Sequence, residues 1–225
     1  MKHLLDKLFW HALTGPHATH ATGTHGARRY APGFSPIIAF ENEEHPDLES
    51  LLPFCEPGEQ LYSAGWSGTV PEGWRIEAET AIFRMVWDAP LPETDEAPDA
   101  VRLGPQHVPQ MLALTALTHP GPFGPRTIEL GEYFGCFDGK RLIAMAGERA
   151  QAGPLREVSG VCTHPDAQGR GLARRLMLKL IRRQMQRGET PCLNVMRDNT
   201  GARRLYARMG FRDHLETVVR VVSRT

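Results

Sequence analysis

The densest chemistry in the chain lies in residues 161–175: Val161-Cys162-Thr163-His164-Pro165-Asp166-Ala167-Gln168-Gly169-Arg170-Gly171-Leu172-Ala173-Arg174-Arg175. An extended apolar run enters a short polar turn, glycines follow, and an amphipathic pattern begins. Strand, glycine loop and helix N-terminus in that order make an anion site. The first-turn N–H groups have no intrahelical acceptor, and the small residues let the backbone approach a phosphate. Arg170, Arg174 and Arg175 add positive charge. A Walker loop would need Gly-Lys-Ser/Thr, which is absent, and a dinucleotide fingerprint would need glycine where Arg174 stands. What remains is the pattern Gln168-x-x-Gly171-x-Ala173.

The elements that must position this loop can be read from periodicity. The spacing predicts a helix over 171–187, with Leu172, Leu176 and Leu180 in one row, six Arg and Lys side chains on the other face, and Gly188 closing it. Upstream, 133–137 and 142–146 form a hairpin around Asp138-Gly139, and 157–163 follows as a third antiparallel strand. Downstream come a strand at 190–196, a helix at 199–209 capped by Gly210, and one or two strands over 214–222. Earlier, 101–103 reads as a strand, 106–118 as a helix and 119–125 as a rigid Pro-Gly loop. In the first half, an amphipathic helix spans 2–13, and strands are expected at 36–41, 61–64 and 74–87, with a short helix at 45–52. The histidine-bearing stretch 17–26 reads as a loop; with no cysteine or carboxylate among its histidines, no metal is assigned there.

Composition sets the frame. With 225 residues, 41% of them hydrophobic and 23% charged, the chain is that of an ordinary soluble globular protein of one large domain or two small ones. No apolar run approaches membrane-spanning length, and Asp6, Lys7 and His11 interrupt the N-terminus too early for a signal peptide. Cysteines 55, 136, 162 and 192 form no C-x-x-C pair, which fits a reducing cytoplasm. Zero net charge conceals an asymmetry: residues 1–100 carry 16 Asp/Glu against 6 Lys/Arg, and residues 101–225 carry 10 against 20. The acidic half is therefore expected to dock on the basic half. Residues 91–100, rich in proline and acid, read as a linker between an N-terminal α/β domain at 1–90 and a second domain at 101–225.

At this point residues 101–225 resemble the GNAT superfamily of acetyl-coenzyme A-dependent N-acetyltransferases. The strand ending Val161-Cys162-Thr163-His164-Pro165, the acyl-CoA loop Gln168-Gly169-Arg170-Gly171-Leu172-Ala173, and the late pattern Asn199-x-x-Ala202-x-x-Leu205-Tyr206-x-x-Met209-Gly210-Phe211 match its signatures in order. The resemblance implies an α/β (α+β) GNAT fold: a mixed, mostly antiparallel sheet flanked by helices. It implies acetyl-CoA as cosubstrate, an amine acceptor and no metal. Val161, Cys162 and Thr163 would run beside the pantetheine arm, with backbone groups of Val161 and Thr163 pairing with it. Amides of Gln168, Gly169, Arg170, Gly171, Leu172, Ala173 and Arg174 would hold the pyrophosphate. Asn199 would bond the arm, Arg203 would reach a phosphate, and Tyr206 would protonate the leaving thiolate. The strand-helix-strand-strand order of the first half hints at a degenerate copy of the same fold, as in two-part members resembling glycine N-acyltransferases.

Amide formation also requires a base, because an amine is protonated at neutral pH. Glu157 is the expected base: it stands eleven residues before Gln168 and resembles the catalytic glutamate of histone-acetylating members. Simple alternation puts it on one strand face with Ser159, Val161 and Thr163. An ion pair with Arg156 or Arg149 is the competing reading; Glu148, His119 and a water relay are the reserves. Cys162 alternates away and is not expected to form an acyl-enzyme. Trp10, His11 and Trp66 are candidates to line the acceptor cleft, against a packing role for the tryptophans. Two other functions remain to be weighed: a non-catalytic acyl-CoA sensor, and nucleic-acid binding, which the lack of aromatics among the helix arginines and the zero net charge argue against. A homodimer stays open.

Overall fold

The computed structural model describes residues 1–225. In the first half it contains α1 (Lys2–Asp6), α2 (Leu8–Thr14), β1 (Ala21–Gly23), β2 (Ala27–Tyr30), β3 (Ile37–Phe40), β4 (Gln60–Ala64) and β5 (Trp74–Trp87). The second half contains β6 (Val101–Arg102), α3 (Val108–Thr118), β7 (Tyr133–Asp138), β8 (Arg141–Ala152), β9 (Leu155–Thr163), α4 (Leu172–Gln186), β10 (Thr190–Met196), α5 (Thr200–Met209) and β11 (Phe211–Arg224). All strands join one sheet in the order β1-β2-β3-β4-β11-β5-β10-β9-β8-β7-β6. It is mixed and mostly antiparallel, with β3–β4 and β9–β10 parallel.

The sheet runs straight through the boundary expected at 91–100. The two long strands β5 and β11 pair along their whole length, and β5 also pairs with β10. A strand of the first half thus satisfies backbone groups of two strands of the second, which would otherwise present open edges. The acidic stretch is laid along α4 instead of spanning free space. Lys179 bonds Asp95, Arg175 bonds Asp99, and Arg175 Nε donates to the Glu96 carbonyl at 2.8 Å. Elsewhere Arg212 meets Asp88 at 3.1 Å and Arg220 meets Glu79 at 2.7 Å, so the acidic half does dock on the basic one.

Helices cover both faces. On one, Leu5, Leu8, Phe9 and Leu13 of α1–α2 pack with Ala150, Leu155 and Cys192, while Met111 and Leu114 of α3 pack with Tyr133, Met145 and Cys162. On the other, Leu172, Leu176, Leu180 and Tyr206 of α4 and α5 pack with Phe134, Val158 and Val195. The helix expected over 2–13 breaks at Lys7 into two, and the loop expected over 17–26 carries β1.

Not every histidine in that stretch is solvated. His17 is buried, with Nδ1 2.8 Å from the Tyr30 hydroxyl, and burial lowers its pKa from 6.5 to about 4. Because the unfolded chain binds this proton first, folding stability falls as pH drops from the unfolded value toward the folded one. A shift of this size corresponds to about 3 kcal/mol at most. Wild-type protein should therefore lose about 2–3 kcal/mol more than His17→Gln between pH 7 and 4, read by urea unfolding. Equal losses would show that His17 is not held neutral.

Candidate active site

The site is organised by two parallel strands that part. β9 and β10 pair from Leu155 opposite Thr190 to Glu157 opposite Cys192, and no further. Beyond that point β10 stays with β5, so the β9 edge over residues 158–163 has no strand beside it. On its other side β9 pairs with β8, where Met145 lies opposite Cys162 and Gly147 opposite Ser159. Two residues of β9, Gly160 and Val161, thus oppose one of β8. Gly160 has φ +61°, the left-handed conformation that this bulge requires and that a Cβ would resist.

The bulge reverses the alternation expected from sequence. Leu155 packs under α2 and Cys162 under α3, whereas Val158 and Val161 both pack toward α4. Glu157 and Ser159 therefore face α1–α3, and Val161 and Thr163 face the opposite side. His164 N donates to the Ile143 carbonyl at 2.7 Å. By ladder alternation Cys162 turns its backbone toward β8, and Val161 and Thr163 turn theirs to the open edge. The Cys162 thiol is buried, and burial pushes its pKa up to about 11.

The open edge leads into the turn before α4. Gly169 and Gly171 adopt φ +76° and +72°, and Gly171 caps the helix. Gln168 N donates to the Pro165 carbonyl, and the next amide with an acceptor is that of Arg175, bonded to the Gly171 carbonyl. The N–H groups of residues 169–174 have no acceptor in the chain. Converging amides of this kind form an anion nest. Arg170 makes no ion pair and Arg174 stands a loose 3.9 Å from Glu96, whereas Arg175 and Lys179 are neutralised by Asp99 and Asp95 of the acidic strap and Arg183 by Glu132. Positive charge is thereby left at the helix entrance.

Tyr206, on the facing side of α5, is 9% exposed and packs against Phe211, and its hydroxyl has no protein partner. Burial raises this phenol to about 12, so it stays protonated and can donate. Asn199 is the N-cap of α5, its Oδ1 accepting from Ala202 N at 3.1 Å, while its amide nitrogen has no partner in the chain. Arg203 pairs with Asp213 and stacks on Phe83 at 3.5 Å, so it is already engaged.

Glu157 is 1% exposed and fully bonded. Oε1 accepts from Arg149 Nη2 at 2.7 Å and from Asn194 Nδ2 at 2.8 Å; Oε2 accepts from Arg149 Nε at 3.0 Å and Ala150 N at 3.2 Å. Burial alone would raise its pKa, but the Arg149 charge and these hydrogen bonds outweigh it and hold the carboxyl below its ordinary range. The ion pair weighed for this residue is thus present, in the core and not at the surface. Glu148 is also buried, bonded to Arg187, Gln184 and the Glu132 amide. His119 ends α3 in the left-handed conformation, exposed to solvent.

Around the bulge, Phe123 of the Pro-Gly loop meets Tyr133 edge-on, with ring centroids 5.7 Å apart. That loop is tied to the first half: Arg126 N donates to the Gly33 carbonyl, Ser35 Oγ to the Pro122 carbonyl, and Arg126 lies over Phe34. Trp66 is wholly buried under Arg220, a packing role, and Trp10 lies against the α2 cluster. Sequence reasoning missed Asn194 and Arg84, which join the Glu157 cluster. Each is the lone polar residue in an apolar strand run, Cys192-Leu193-Asn194-Val195 and Phe83-Arg84-Met85-Val86, and that is the signal that could have found them.

Residues 133–221 match the family model described as FR47-like protein. Among solved structures, a protein assigned to the GNAT family of acetyltransferases from Novosphingobium aromaticivorans DSM 12444 is 35% identical, with 98% of each chain covered and a TM-score of 0.90. A GCN5-related N-acetyltransferase from Kribbella flavida shares the fold at 14% identity, 99% of this chain and 95% of that one covered, TM-score 0.61. A GCN5-related N-acetyltransferase-like protein from Streptococcus suis 89/1591 does so at 14% identity, 100% and 98% covered, TM-score 0.62. No curated protein matches the chain. With the parted strands, the nest and a full-length relation above 30% identity all in agreement, the chain belongs to the GNAT family of acetyltransferases.

Proposed function

We propose that this protein transfers an acetyl group from acetyl-CoA to the primary amine of a small molecule or peptide, by direct attack. The observation that carries this reading is the run of amides without acceptors at 169–174, continuous with the open backbone edge at Val161 and Thr163. The residues fit the donor. A diphosphate satisfies converging amides, and an arm bearing two amides can pair with a free strand edge as another strand would. Acetyl-CoA supplies the reactive thioester carbonyl.

The chain's own groups then divide the work. To the Val161 amide, beside the bulge, we assign donation to the oxygen that gains negative charge. Tyr206 holds a proton at its hydroxyl and gives it to the departing thiolate. Cys162, turned away and held as a thiol, takes no acyl group, so the amine attacks directly. Glu157 has no free lone pair facing the cleft, so we assign removal of the amine proton to a solvent relay. The Phe123–Tyr133 pair and the loop tied to the first half shape the acceptor side. The thiols of all four cysteines are free, in keeping with a reducing cytoplasm.

Two measurements test this. Acetyl-CoA at micromolar concentration should raise the melting temperature, and free thiol should accumulate once a suitable amine is present; no stabilisation by any acyl-CoA would sink the proposal. Tyr206→Phe should lower kcat about 100-fold with acetyl-CoA affinity nearly intact. A full rate in this variant would assign the proton to another group. Separately, Gly171→Ala places a Cβ at φ +72° and should weaken acetyl-CoA about tenfold, measured by calorimetry. Unchanged affinity would remove the nest from the binding site.

A further inference from the structure

Glu157 and Asn194 occupy the point where β9 and β10 part. The last backbone pairing is Glu157 opposite Cys192, and Asn194 lies two residues further along β10, on the same face. Asn194 Nδ2 donates to Glu157 Oε1 at 2.8 Å, across the first step that the backbone ladder leaves unbridged. Neither side chain is free to move. Asn194 Oδ1 accepts from Arg84 Nε at 3.1 Å, and Arg84 Nη1 donates to the Leu5 and Asp6 carbonyls at 2.6 Å each. On the other side Arg149 of β8 clamps Glu157 through two hydrogen bonds, at 2.7 and 3.0 Å. An unbroken series of hydrogen bonds thus crosses β8, β9, β10 and β5 and ends at the C-terminus of α1.

We infer that Glu157 and Asn194 form a clasp that fixes the width of the slot between β9 and β10, making both of them positioning residues for the arm of acetyl-CoA. Apolar side chains tolerate a range of separations, whereas a hydrogen bond to a buried carboxylate holds within a few tenths of an ångström. If β10 moved outward, a buried carboxylate would lose a donor. If it moved inward, the open edge at Val161 and Thr163 would lose the strand-width space of about 4.8 Å that a pairing chain needs. Buried ion pairs contribute little net stability, and fixing register is their best-attested use. The arrangement also explains why the carboxylate is saturated: a clasp must have its lone pairs occupied, and a base must not. This inference rests on the acetyl-CoA reading above.

Asn194→Asp replaces the donor to Glu157 with a second carboxylate, which repels it, and keeps an acceptor for Arg84. Asn194→Leu deletes both. Calorimetry with acetyl-CoA and with 3′-phospho-ADP, which has the diphosphate but no arm, separates the clasp from general damage. Both variants should bind acetyl-CoA about tenfold more weakly. Binding of 3′-phospho-ADP, held at the α4 turn, should stay within about twofold of wild type. Unchanged acetyl-CoA affinity, or equal weakening of both ligands, overturns the clasp. Should the leucine variant not fold, the aspartate variant decides alone. Wild-type protein that binds neither ligand overturns the acetyl-CoA reading itself, and the clasp with it.

Discussion

The structure depends on backbone groups left unpaired on purpose in the middle of a sheet. A buried amide or carbonyl without a partner is costly, so a sheet normally closes every internal ladder. Here β9 and β10 separate after three pairings, yet both remain interior strands, because β8 and β5 hold their outer sides. The gap cannot collapse by sliding, since the bulge at Gly160 bends β9 and the buried Arg149–Glu157–Asn194–Arg84 series fixes the strands below it. The opening continues without a break into the amides before α4. A ligand that fills it must offer hydrogen-bonding groups along an extended arm and an anion at its end.

The first half of the chain is part of this construction. β5 gives β10 a partner on the side away from the gap, so β10 is an interior strand that can afford to leave β9. Arg84, on that same strand, reaches the slot from below, and α1 receives its hydrogen bonds. The acidic strap at 88–100 neutralises Lys179 and Arg175 on the solvent face of α4, but it holds Arg174 only loosely, at 3.9 Å from Glu96, and does not pair with Arg170. Charge balance over the helix is therefore uneven, with the cationic end at the nest. The 33–35 loop pins the Pro-Gly loop over the bulge, which ties that side of the bulge to both halves.

How much of this could be read from the sequence follows from how local each feature is. The nest was legible because its loop, glycines and helix lie in one stretch, and α4 because its period is unbroken. The hairpin was legible from Asp138-Gly139, and β5 from alternation. The insertion of β5 between β10 and β11 was not, since strand order depends on residues more than a hundred positions apart. Nor was β1: its residues are small and polar without alternation, and they form a strand because the β2 edge is there to pair with. Asn199 and Arg203 show a subtler limit. Their positions match the family pattern, but one caps α5 and the other is held by Asp213 and Phe83, occupations that depend on neighbours distant in sequence.

Glu157 carries the most consequential difference, and a single residue causes it. Counting by twos along β9 puts Glu157 on one face with Val161 and Thr163. The extra residue at the bulge moves it to the other face, beneath α1 and α2 and next to Arg149. A glycine inside a strand is the local mark of such a bulge, and Gly160 stands between the two readings. The same bulge that aims the Val161 backbone at the slot thereby withdraws the carboxylate from it. A carboxylate so withdrawn, saturated and held below its ordinary pKa is poorly suited to take a proton, yet well suited to hold two strands at a fixed separation. Geometry at the bulge therefore decides between the two roles, and residue type alone could not.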